Sequence, residues 1–197
     1  MMKKLIYAAS AMALAFMVSC DTLKEAVTVT VPITEDITFA VGTEVGNTAA
    51  ASATKAETTV YEFEGTSSAL LIENFSSFFG EYASLVSKIK EFVAKDVTVV
   101  CSNESDYFIQ NVVITASINA SNATPFATYE YAGPYTLGSG SFGDAELFAF
   151  ISTVFTKLLT TQTVYVTVKG ETNVAPGTPL SFLFTIHEAE IKAKPLT

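Results

Sequence analysis

A chain of 197 residues with 20 acidic and 11 basic side chains carries a formal charge of −9, and none of its cations is an arginine. Such a chain has no basic stripe to displace counterions from phosphates and no guanidinium forks, which excludes nucleic acid as a partner. One histidine, two cysteines and no tryptophan leave little from which to assemble an active site, while 15 Phe and 8 Tyr supply apolar area for one sizeable core.

The first element is a leader. Lys3 and Lys4 form a positive start, and Leu5–Val18 follow as an apolar run of 14 residues in which only Tyr7 and Ser10 carry a hydroxyl. That run falls short of the about 20 helical residues needed to cross a hydrocarbon core, which predicts removal of the segment rather than a retained span. Met17-Val18-Ser19-Cys20 closes the run. These four residues resemble the lipobox of bacterial lipoproteins; Ser19 and Cys20 are in pattern, and Met17 stands where Leu or another aliphatic residue is usual. The resemblance covers the first 20 residues and implies that Cys20 receives a diacylglyceryl group and becomes the first residue of the mature chain. The other reading, a secretory cleavage behind Ala13-Leu14-Ala15, would cut the apolar stretch in half.

Removal of residues 1–19 takes away Lys3 and Lys4 and moves the charge from −9 to −11, leaving 9 Lys against 20 Asp plus Glu. An acidic surface does not hold a body on anionic lipid, so the acyl chains, at about 0.8 kcal/mol per buried methylene, are expected to supply membrane residence. The expected location is the bacterial cell envelope, anchored in the outer membrane with the body toward water. With Cys20 acylated, Cys101 is the remaining thiol and an intramolecular disulfide is excluded. The expected organisation is a signal peptide over 1–19, an acylated tether over 20–26 and a single globular domain over 27–197.

Val27, Val29, Val31 and Ile33 alternate with threonines and Pro32, and Ile37, Phe39 and Val41 continue the same parity beyond Glu35-Asp36. This predicts one bent strand, placed at an edge by Pro32. Residues 42–57, with Gly42, Gly46, Asn47 and an alanine tract, read as a surface loop, and Thr58–Glu64 as a short strand. Ser67 and Ser68 then offer an N-cap to a helix predicted to run to about Lys95. Leu71, Phe75, Phe78, Tyr82, Leu85, Ile89 and Phe92 step by four and three, with Ile72, Phe79, Val86 and Val93 beside them. A stripe two residues wide reads as a core face rather than a coiled-coil seam.

Asp96–Cys101 reads as a strand, 102–106 as a turn, Val112, Ile114, Ala116 and Ile118 as the inner face of the next strand, and Phe126–Tyr131 as another. Asp144 caps a second predicted helix in which Leu147, Ile151, Val154 and Leu158 repeat the apolar spacing, ending near Thr160. Val164, Val166 and Val168 alternate in a further strand, and after the turn at Pro176–Pro179 a closing strand is predicted over 180–192, past His187.

The stretch Thr59–Gly65 resembles Ala127–Gly133, with Tyr61-Glu62 matching Tyr129-Glu130. From Tyr61 to Val97 is 36 residues and from Tyr129 to Val164 is 35, and each endpoint opens a valine-rich strand. These matches predict an internal duplication of a β-β-α-β unit, in halves over 27–101 and 107–169. The expected fold class is α+β: a β-rich mixed or antiparallel sheet of about seven strands with two amphipathic helices.

Chemistry-bearing groups are sparse. His187 is followed by Glu188 and Glu190, which read as a solvated strand edge, and no His, Cys or carboxylate spacing suits zinc. Asn103, Glu104 and Asp106 lack the glycine-bearing loop of an EF-type calcium site, and the repeated Tyr-Glu pairs read as in-out strand alternation. No catalytic residue, metal or cofactor is expected. The function read from the sequence is a non-enzymatic binding or structural module beside other envelope proteins, held at the membrane through Cys20. The alternative is a carrier of a small hydrophobic ligand or lipid between helices and sheet, in an apolar pocket lined by Phe75, Phe79, Phe148 and Phe155.

Overall fold

In a computed structural model, the structure describes residues 28–50, 59–75, 88–102, 107–138 and 140–193. Alternating burial runs through most of it: Ile37, Phe39, Val41, Thr43 and Val45 are buried in a strand whose intervening residues are exposed. That pattern is what a strand with one face on a core requires. The strands are β1 (Val29–Ile33), β2 (Ile37–Ala49), β3 (Tyr61–Thr66), β4 (Leu70–Leu71), β5 (Ile89–Ser102), β6 (Phe108–Ser117), β7 (Ala127–Tyr131), β8 (Tyr135–Thr136), β9 (Thr163–Thr172) and β10 (Pro179–Ala193). All pairings are antiparallel, in rows that run β5, β10, β1 with β2, β3 with β4, β9, β6, and β7 with β8. The sheet curls into a half-barrel around α1 (Ala145–Thr161), the one helix among the described residues.

The expected architecture is corrected here. Strands make up 59% of the structure and the sheet is wholly antiparallel, so an α+β description holds only loosely and the pair of amphipathic helices does not. The long helix predicted from Ser67 to Lys95 is a two-residue strand at Leu70–Leu71, a 3₁₀ turn over 72–75 and, from Ile89, the start of β5. Residues 76–87 of that prediction lie outside the described residues. Two irregularities on the β5 side of its pairing with β10 account for the misreading of Ile89–Lys95. They stretch the steps between inward residues from two to three at Ile89 to Phe92 and at Ala94 to Val97, and three-residue steps are the mark of a helix face.

The predicted duplication falls as well. β3 is central, pairing with β2 and β9, whereas among the described residues β7, its supposed counterpart, pairs with β6 alone. Residues 42–49, expected in a loop, extend β2 through Gly42 and Gly46.

The second predicted helix agrees with its sequence signals. Asp144 accepts a hydrogen bond from the Leu147 amide at 2.8 Å, and Gln162 closes the other end with a left-handed φ of 63° and a bond from its amide to the Leu158 carbonyl. Leu147, Ile151, Val154 and Leu158 form the buried stripe. The helix also shields a sheet edge. Ser152 Oγ and Thr156 Oγ1 accept from the Ala94 and Phe92 amides at 2.9 and 3.0 Å, and Phe142 exchanges two backbone bonds with Val99. The edge of β5 is thereby occupied by side-chain hydroxyls and a loop rather than left open to another strand.

Three neighbouring rows break at one level. β1 gives way to β2 across Thr34–Asp36, β10 shifts register at His187–Glu188, and β5 shifts at Lys95–Asp96. Burial switches parity there: Leu180, Phe182, Phe184 and Ile186 are buried before the joint, Ala189, Ile191 and Ala193 after it. Each shift rotates the strand so that its apolar side keeps facing inward as the sheet bends.

Candidate functional site

On the outside of the half-barrel, β2, β3, β9 and β6 line an open depression of about 590 Å³. Phe63 points inward, so Glu62 and Glu64 on either side of it point out. Register sets Glu64 opposite Glu44 on one side and Lys169 on the other, and sets Glu62 opposite Glu171. Two glutamate pairs thus face each other directly, an arrangement that lowers stability. Glu171 accepts from Gln110 Nε2 at 2.9 Å and from Asn111 Nδ2 at 3.0 Å. Asn111 reaches it from an irregular stretch of β6, with a φ of 49° that Asn tolerates better than most residues. Gly170 also lines the depression, and a Cβ there would come within 2.8 Å of the Phe63 ring, so glycine lets that ring lie against the strand. Four carboxylates against one ammonium suit a cationic group. Among the described residues no three His, Cys, Asp or Glu side chains are grouped closely enough to hold a metal ion.

The phenylalanines expected to line an apolar pocket take different places. Phe155 is 2% exposed and lies among rings, with centroids of Phe92, Phe75 and Phe39 at 4.8, 5.2 and 6.2 Å. Phe39 in turn stacks on Phe184 at 4.7 Å. Phe75 and Phe155 are therefore brought together as mutual packing, offset and edge-on as quadrupoles prefer. Phe148 is half-buried at the rim of the core, and Phe79 lies outside the described residues, as does Cys20.

The lone histidine sits at the joint. His187 Nδ1 is 3.1 Å from Asp36 Oδ1, and Nε2 is 2.9 Å from Thr98 Oγ1. An acid, an imidazole and a hydroxyl in line are the parts of a nucleophilic triad. Here they come from three adjacent rows at the level where each is interrupted, and their hydrogen bonds tie those rows together. Lys95 pairs with Glu190 at 3.4 Å beside them. Cys101 is buried in β5, and burial pushes its thiol up to about 12, which holds it as the unreactive protonated form at neutral pH. Tyr129 donates to Asp144 at 3.1 Å; burial first, then the charge and hydrogen bond of Asp144, raise its phenol above the ordinary range.

Next to the acidic depression, the outside of β5, β10 and β2 carries no charge over three cross-strand rows: Ser102–Ser181–Gly42, Val100–Leu183–Ala40 and Thr98–Thr185–Thr38. Leu183 at its centre is 40% exposed, one of two large apolar side chains so exposed among the described residues. Neither region was anticipated from the sequence. The alternation around Phe63 and Phe182 does show which residues point outward, but which outward residues meet depends on the pairing of different strands, among them β2 with β10 and β3 with β9, which lie far apart in the chain. Asn103, Glu104 and Asp106, weighed for calcium, lie outside the described residues. No family model, curated protein or solved structure matches the chain.

Proposed function

We propose that the chain is a lipid-anchored protein of the bacterial outer membrane that acts without catalysis, as a binding or structural module beside other envelope proteins. Its working surface is the outside of the sheet. The observation that carries this reading is the uncharged block centred on Leu183, on the outer face of the sheet in a chain otherwise rich in carboxylates. Depletion of charge at the centre of a patch with a polar rim is a mark of protein interfaces. The lipobox-like Met17–Cys20 supports the anchor. The ring contacts around Phe155 speak against a carrier, since Phe75 and Phe155, two of the four side chains expected to line its pocket, pack on each other.

A photo-crosslinking residue placed at position 183 of the acylated protein in intact cells tests the module reading. A discrete protein adduct at 183, absent when the probe stands at the exposed helix position Thr153, is the expected result. Free monomer at both positions, together with lipid retained in native mass spectra, would replace the module with the carrier. Intact mass of native material tests the anchor separately: the chain is expected to begin at an acylated Cys20.

A further inference from the structure

We propose that the half-barrel stands upright on an anionic bilayer, on the tip formed by the start of β1, the start of β5 and the end of β10, with the acidic depression held away from the lipid. The proposal rests on the anchor reading above and adds to it an interaction surface and an orientation.

Three facts converge on this tip. Val29 pairs with Ala193, and Ala193 pairs with Ile89, so the point at which the tether joins the sheet is also the lower end of the two longest strands. Eight residues, 21–28, separate Cys20 from β1 and extend at most about 27 Å. The stretch of β10 from Ala193 up to Pro179, which pairs with Glu44 at the rim of the depression, spans roughly 45 Å at about 3.3 Å per residue. The tether is therefore shorter than the body, and the depression reaches the membrane only if the body lies on its side.

Charge opposes that. Among the described residues, Lys88, Lys90, Lys95 and Lys192 stand around the tip against Glu91 and Glu190, with Lys192 bonded to Glu91 at 2.8 Å and Lys95 paired with Glu190 at 3.4 Å. Among the described residues, the far end carries Glu44, Glu62, Glu64, Glu130 and Glu171 against Lys169. An anionic leaflet acts on charges within about 8 Å at physiological salt, attracting the first set and repelling the second. For a tethered body it is the difference between its ends that selects the orientation.

The mature acylated protein, reconstituted into vesicles of phosphatidylethanolamine with a minority of phosphatidylglycerol, is labelled with an amine-acetylating reagent and read lysine by lysine by mass spectrometry. The reference is the unacylated Cys20→Ser chain in the same buffer. Labelling of Lys88, Lys90 and Lys192 is expected to fall about threefold or more relative to the reference, with Lys169 unchanged. Equal labelling of tip and Lys169 in vesicles and reference, or stronger protection of Lys169, overturns the orientation while leaving the anchor standing. A chain that fails to float with the vesicles and shows a bare Cys20 by intact mass overturns both.

Discussion

Phe63 and Glu64 are neighbours in β3 and belong to opposite worlds. Inside the sheet, Phe63 is 2% exposed and stacks on Phe182 at 5.5 Å, part of a continuous apolar core that reaches Phe155 under the helix. Outside, Glu64 faces Glu44 across one pair of strands and Lys169 across the next, over an open depression. The same backbone supports both, because successive side chains leave a strand on opposite faces. The interior gathers the contacts that hold the fold; the exterior keeps like charges together at a small expense in stability. Mutations on the two faces should therefore differ in sign as well as in size.

The sharpest way to break this contrast is Phe155→Ala. It removes a ring packed on three others and is expected to destabilise by about 3–5 kcal/mol, read as a large drop in thermal or denaturant midpoint. A loss under 1 kcal/mol would mean that the rings are not closely packed.

Next in size is an alkaline effect from inside. The Cys101 thiol, ordinarily near 9.0, is pushed up to about 12 in the fold, so its protonated form is favoured by the native state. That stability is fully present below about pH 9 and is lost as pH rises toward 12, at roughly 1.4 kcal/mol per unit. Tyr129 acts in the same direction at higher pH. Urea midpoints measured from pH 8 to 11 should fall less steeply in Cys101→Ala than in the parent chain; parallel slopes would remove burial of the thiol as the cause.

The double change Ser152→Ala with Thr156→Ala leaves the Phe92 and Ala94 amides at the β5 edge without acceptors and is expected to lose about 2 kcal/mol. Faster amide exchange confined to the start of β5 would locate the damage. Least in size and opposite in sign is Glu44→Gln. It relieves the repulsion across Glu44 and Glu64 and is expected to raise stability by a few tenths of a kcal/mol, more at low salt than at high. A destabilising result there would make the carboxylates structural and end the contrast between the faces.

Much of the fold was legible in particular residues. Asp144 and the stripe from Leu147 to Leu158 marked a helix, and the valines of β9 and the phenylalanines of β10 marked strands, because each pattern is local and regular. The segment Ile89–Lys95 was not legible, since bulges against β10 gave a strand the three-residue steps of a helix. The duplication inferred from Tyr61-Glu62 and Tyr129-Glu130 failed for a related reason: similar strands in sequence took different partners in space. Of the outer surface, alternation showed that Glu62 and Glu64 share a face and stopped there.

The sequence by itself determined the acidity, the single histidine, and the elements whose regular periodicity it displays, such as α1, β9 and the first part of β10. Tertiary structure alone decided that Asp36, His187 and Thr98 meet at one joint, that Glu44, Glu62, Glu64 and Glu171 share a depression, and that nine uncharged residues adjoin it. The physical reason is that side-chain period is a property of one strand, whereas register is settled between strands distant in the chain, by burial of their common apolar face.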